Sequence, residues 1–132
     1  MGYTHYFEQK RALTKDEYNA IKEATKSIIK QAEADGIKIC NGSGDGEPEI
    51  TSKFISLNGT NYNDDSHEGF YIQKAHLKEF NFCKTARKPY DDVVTSILHF
   101  IKFNVPGAFD IGSDGGDEAI DLVKYKFEVV NE

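Results

Sequence analysis

The chain has 132 residues and a net charge of −6, enough for one domain around a single core. With 39% hydrophobic and 29% charged residues it is balanced like a globular protein, which excludes a disordered chain. The acidic balance also excludes a general nucleic-acid binder, because phosphate repulsion opposes encounter.

No run approaches the roughly 20 apolar residues of a membrane helix. The longest apolar-rich stretch, Val93–Val105, is broken by Thr95, Ser96, His99, Lys102 and Asn104. Met1–Tyr6 lacks the basic-then-apolar pattern of a signal peptide, so none is expected. Cys40 and Cys83 then read as reduced thiols, and the expected location is the cytoplasm.

In chain order, Tyr3–Glu8 alternates aromatic and polar groups and predicts a first strand. Thr14-Lys15-Asp16-Glu17 has the capping-box form, so a helix is expected from Lys15 to about Asp35. Ile21, Ala24, Ile28 and Ala32 form its apolar stripe, and Gly36 ends it with a left-handed cap. Ile37–Cys40 alternates as a short strand, and the glycines of 41–49 predict a loop. Ile50–Leu57, Gly69–Gln73 and Phe80–Cys83 are further strands, with Asn58-Gly59 as a turn after the first of them.

Pro89 is placed to open a second helix, with Asp91 and Asp92 in its first turn and Val94, Ile97, Leu98 and Ile101 on its buried face. Pro106-Gly107 ends it. Ala108–Ile111 reads as a strand and Gly112–Gly116 as a tight loop. Glu118–Phe127 has helical spacing, while Val123, Tyr125, Phe127 and Val129 also alternate as a strand would. His76 and His99 fall in stretches read as helical. Without a regular βαβ rhythm, the expectation is one compact α+β domain over residues 1–132, mostly antiparallel sheet with two or three helices.

The densest polar constellation is Cys83-Lys84-Thr85-Ala86-Arg87-Lys88-Pro89-Tyr90-Asp91. Three cations and a hydroxyl stand just before a predicted helix N-terminus, where free N–H groups and the helix dipole favour an anion. Arg87 offers a planar two-pronged contact, Lys84 and Lys88 point charges. The plain reading of the same cations is that they offset Glu79, Asp91 and Asp92 on a solvated surface.

The run FCKTARKPYD resembles the hallmark of a family of small proteins of phages and bacteria that has no established activity. Members also resemble this chain at His67-Glu68-Gly69-Phe70 and Ser113-Asp114-Gly115, often with a bulkier residue at the position of Gly69. The resemblance spans about residues 55–115. It implies a phage-type protein and site positions, without implying a chemistry.

If these elements converge, the ligand-binding residues are Lys84, Thr85, Arg87, Lys88, Tyr90, Asp91, Ser113 and Asp114, joined by Tyr3 and His5 from the first strand. Cations for phosphate, carboxylates for ribose hydroxyls and tyrosines for a base suit a small phosphorylated, nucleotide-like ligand. Sequestering a host immune signalling nucleotide is one concrete role for it.

The alternative is a hydrolase cleaving a phosphodiester or glycosidic bond in such a ligand. Its candidates are His67, Glu68 and Asp114, with His67 as base oriented by Glu68 or Asp91 and Lys84 or Arg87 stabilising an anion. Cys83 beside Lys84 is a nucleophile or a small core residue. A further alternative is an inhibitor that binds a host protein.

No metal is expected. The cysteines lack zinc spacing, and Asp110–Gly115 departs from a calcium loop at Gly112 and Asp121. No cofactor is expected either, since the phosphate-loop and dinucleotide glycine patterns are absent. The aromatic ends, Tyr3-Tyr6-Phe7 and Tyr125-Phe127, suit core or the surface of a homo-oligomer.

Overall fold

The computed structural model describes residues 3–75 and 80–127, with Phe80 by its backbone alone. It is an α+β domain with two antiparallel sheets. Strand β1 (Thr4–Gln9) forms the centre of the first sheet, between β6 (Phe80–Lys84) and β7 (Phe109–Ser113). The register sets His5 opposite Cys83 on one side and opposite Ser113 on the other.

The second sheet is built on β4 (Phe54–Gly59), which pairs with β2 (Ile39–Cys40), β3 (Glu49–Ile50) and β5 (Phe70–Gln73). Three helices complete the fold: α1 (Lys15–Ala34), α2 (Asp91–Asn104) and the short α3 (Asp117–Asp121).

Alternation explains β1. Phe7 faces the core and meets the ring of Phe70 at 5.1 Å, while Tyr6 lies on the other face. Helix α1 begins at the predicted capping box, with Thr14 Oγ1 accepting Glu17 N–H and Glu17 Oε1 accepting Thr14 N–H. Its stripe of Ile21, Ala24, Ile28 and Ala32 is fully buried, and Gly36 follows with φ of 88°. Helix α2 buries Val94, Ile97, Leu98 and Ile101 as expected, and Val93 and Phe100 as well.

Several boundaries differ from the sequence reading. Ile50–Leu57 is two strands, because Thr51 Oγ1 accepts the N–H groups of Lys53 and Phe54 and folds β3 back on β4. Asn58-Gly59 makes no turn and ends β4. The Asn58 amide bridges the carbonyls of Gly42 and His67 and accepts His67 N–H. Gly59 is needed there because a Cβ would stand 2.1 Å from the Asp65 carbonyl oxygen.

Helix α2 starts two residues after Pro89. Gly112 and Ser113 belong to β7, so the loop narrows to 114–116. Helix α3 has no side-chain cap and stops at Asp121, and 123–127 forms neither helix nor strand. His76 and Val129 lie outside the described residues. Among the described residues no helix is long and apolar enough to cross a membrane.

Candidate functional site

The FCKTARKPYD run proves to be a folded knot whose parts have separate tasks. Cys83 is buried in the core, and its Sγ lies 3.4 Å from the Glu68 carbonyl. Burial pushes its thiol up to about 12, so it is no thiolate nucleophile. Lys84 is exposed, and its backbone N–H donates to Glu68 Oε1 at 2.8 Å. Tyr90 is fully buried and donates its hydroxyl to the Glu68 carbonyl at 2.6 Å; desolvation raises its pKa. Lys88 Nζ reaches Asp64 at 3.3 Å.

Between these anchors Ala86 and Arg87 both take left-handed backbone, with φ of 52° and 57°. Each non-glycine residue there costs roughly 1–2 kcal/mol, and such strain collects at functional sites.

That strained turn aims Arg87 over the Tyr3 ring, with Cζ 4.4 Å from its centroid. Tyr3 in turn stands edge-on to the His5 ring, 5.1 Å away at 87°. The Tyr3 hydroxyl abuts Gly115, where any Cβ would lie 2.0 Å from it. His5 is fully buried beneath this stack. Its Nε2 lies 2.6 Å from Asp91 Oδ1 and its Nδ1 2.8 Å from Ser113 Oγ. Thr85, also buried, donates its hydroxyl to the same Asp91 oxygen.

The carboxylate fixes the first proton of this network, and the neutral tautomer of His5 fixes the rest. An ionised carboxylate only accepts, so His5 Nε2 carries the proton toward Asp91. In the neutral ring Nδ1 then accepts, and Ser113 donates its O–H to it. The Ser113 oxygen is left to accept the Gly115 N–H, which lies 3.0 Å away. Among the described residues no buried side-chain polar atom is unpaired.

Beside this network opens a cleft of about 480 Å³ lined by Tyr3, Arg87, Asp91, Gly115, Glu118, Ala119 and Leu122. Arg87 makes no ion pair among the described residues. The cleft thus joins a cation, an aromatic face and two carboxylates.

Of the predicted site residues, Arg87 and Asp91 line this cleft. Thr85 and Ser113 support it through Asp91 and His5. Tyr90 is a core anchor. Lys84 and Lys88 are not in the lining. Asp114 extends the β1–β7 pairing, with Oδ2 accepting Thr4 N–H and Oδ1 the Tyr6 hydroxyl. His67 is exposed, and its ring makes no hydrogen bond among the described residues.

The expected anion site at the α2 N-terminus is not open. The N–H groups of Asp91, Asp92 and Val93 donate to the carbonyls of Lys88, Pro89 and Tyr90. Two carboxylates crowd the same turn, where burial, with Asp91 adding to it, raises the Asp92 pKa. His99 Nδ1 donates to the Ile120 carbonyl at 2.8 Å and ties α2 to α3.

Sequence reasoning missed Glu118, Ala119 and Leu122, since α3 carries no motif. It also missed a larger cleft of about 690 Å³, lined in part by Lys53, Phe54, Tyr71 and Lys74, with Phe54 and Tyr71 stacked at 5.5 Å. Comparisons with family models, curated proteins and solved structures find no match for this chain, so the resemblance rests on its motif residues alone.

Proposed function

We propose that the protein binds a small phosphorylated, nucleotide-like ligand in the Tyr3–Arg87 cleft. The observation that carries this reading is Arg87: a strained turn holds it over an aromatic ring, and no carboxylate among the described residues claims it. An Arg fork so placed suits a phosphate, and Asp91 and Glu118 suit ribose hydroxyls. A volume of about 480 Å³ is in the range of small-molecule sites. With the phage-type resemblance, the proposed role is sequestering a host signalling nucleotide.

The test is native mass spectrometry of the chain with mono-, cyclic and oligonucleotides and ADP-ribose. The reading expects a stable mass shift for at least one of them, with the ligand recovered intact after heat denaturation. Retention of none would overturn it and favour a protein partner.

A further inference from the structure

We propose that Ser113, His5 and Asp91 form a nucleophilic relay that cleaves a carboxylic ester in an anionic substrate. The proposal rests on the cleft assigned above and adds a reaction to it.

Three elements bring the residues together. Ser113 ends β7, His5 lies opposite it on β1, and Asp91 opens α2. The hydrogen bonds of 2.8 Å and 2.6 Å run on from hydroxyl to imidazole to carboxylate. Asp91 requires the proton on Nε2, and with the imidazole in that neutral tautomer the Ser113 O–H points at Nδ1. That is the protonation state in which a serine is ready for attack, with the roles of the two ring nitrogens exchanged relative to the usual triad. Thr85 fixes the carboxylate from behind. Tyr3 covers the ring and keeps it dry.

In the reaction, Ser113 Oγ forms a bond to the ester carbonyl carbon while its proton passes to His5 Nδ1. The alcohol leaves with that proton, and an acyl-serine remains. Water then gives a proton to Nδ1, attacks the acyl carbon and releases the acid, and the proton returns to Ser113. Gly115 N–H, which now donates to Oγ, is released as Oγ bonds to carbon and is then free to donate to the oxygen that gains charge.

The cleft chooses the substrate class. Ser113 is half-buried beside the cleft, next to its lining residue Gly115, and the cleft's carboxylates, Asp91 and Glu118, disfavour a negative phosphodiester and leave a neutral ester carbonyl as the group to meet it. Arg87 holds the substrate's anionic group farther along the same cleft.

The test is incubation of the wild-type chain with a fluorophosphonate probe, followed by peptide mass mapping. In this step the Ser113 oxygen bonds to phosphorus, and fluoride leaves with the serine proton. The expected result is phosphonylation at Ser113, absent in Ser113→Ala. Asp91→Asn should lower the rate constant at saturating probe at least tenfold, whatever its effect on the half-saturating probe concentration. An unmodified Ser113 in the folded wild-type chain overturns the relay. So does an Asp91→Asn variant that reacts at the wild-type rate. Nucleotide retention is a separate readout, so failure of the relay and failure of the ligand reading are told apart.

Discussion

The imidazole of His5 lies 2.6 Å from the carboxylate of Asp91, joining the central strand of one sheet to the first residue of α2. The pair is buried on the histidine side, with Thr85 donating to the same oxygen. The whole knot from Thr85 to Asp91 closes on this contact.

Removing Asp91 should therefore cost more than a surface substitution. Asp91→Ala leaves His5 Nε2–H and the Thr85 hydroxyl buried without an acceptor. The expected loss is about 2–5 kcal/mol, read from urea unfolding at pH 7. A loss below 0.5 kcal/mol, on the order seen at ordinary surface sites, would show that water replaces the carboxylate freely.

The turn before α2 stores strain that glycine relieves. Ala86 has φ of 52°, which glycine adopts without a Cβ clash. After the entropy glycine loses on folding, Ala86→Gly should stabilise by about 0.5–1 kcal/mol. Thermal unfolding checks this, and a destabilised variant would contradict the left-handed assignment.

Glu17 gives a pH signature. The Arg11 guanidinium beside it, helped by the Thr14 N–H, lowers its pKa from 4.5 to about 2. A group whose pKa falls on folding contributes stability above its unfolded value and loses it as pH drops through the folded one. Wild type should exceed Glu17→Gln by about 1 kcal/mol at pH 6, and the gap should close between pH 4.5 and pH 2. Urea midpoints across that range provide the measurement.

Cys83 should be silent in the native state. Its thiol is buried and pushed up to about 12, so iodoacetamide at pH 8 should leave it unmodified until the chain unfolds. Peptide mapping after native and denatured labelling separates the two cases.

Much of the fold was legible because local rules and tertiary needs agree. The capping box at Thr14, the stripe from Ile21 to Ala32 and the alternation around Phe7 each have one physical solution. Where they disagree, the reading failed. Asn58-Gly59 has turn chemistry, yet Gly59 serves the close approach of Asp65. The candidate site was half legible. The cation run pointed to the turn beside the Tyr3–Arg87 cleft, but of its three cations only Arg87 lines that cleft. The signal for His5 was present, since a polar residue between Tyr3 and Phe7 on the inward face needs partners. Its partners were hidden, because Asp91 and Ser113 stand 86 and 108 residues away. Glu118 carried no local signal at all.

Binding of the nucleotide panel to Arg87→Ala and to the double variant Lys84→Ala/Lys88→Ala, with wild type alongside, tests the central claim most directly. Isothermal titration with AMP and with ADP-ribose supplies the affinities. The Tyr3–Arg87 cleft predicts at least a tenfold weaker Kd for Arg87→Ala, on the order of one lost charge-assisted contact, and less than about a threefold change for the double variant. Wild-type affinity in Arg87→Ala, with loss of binding in the double variant, would contradict it and return the site to the surface lysines.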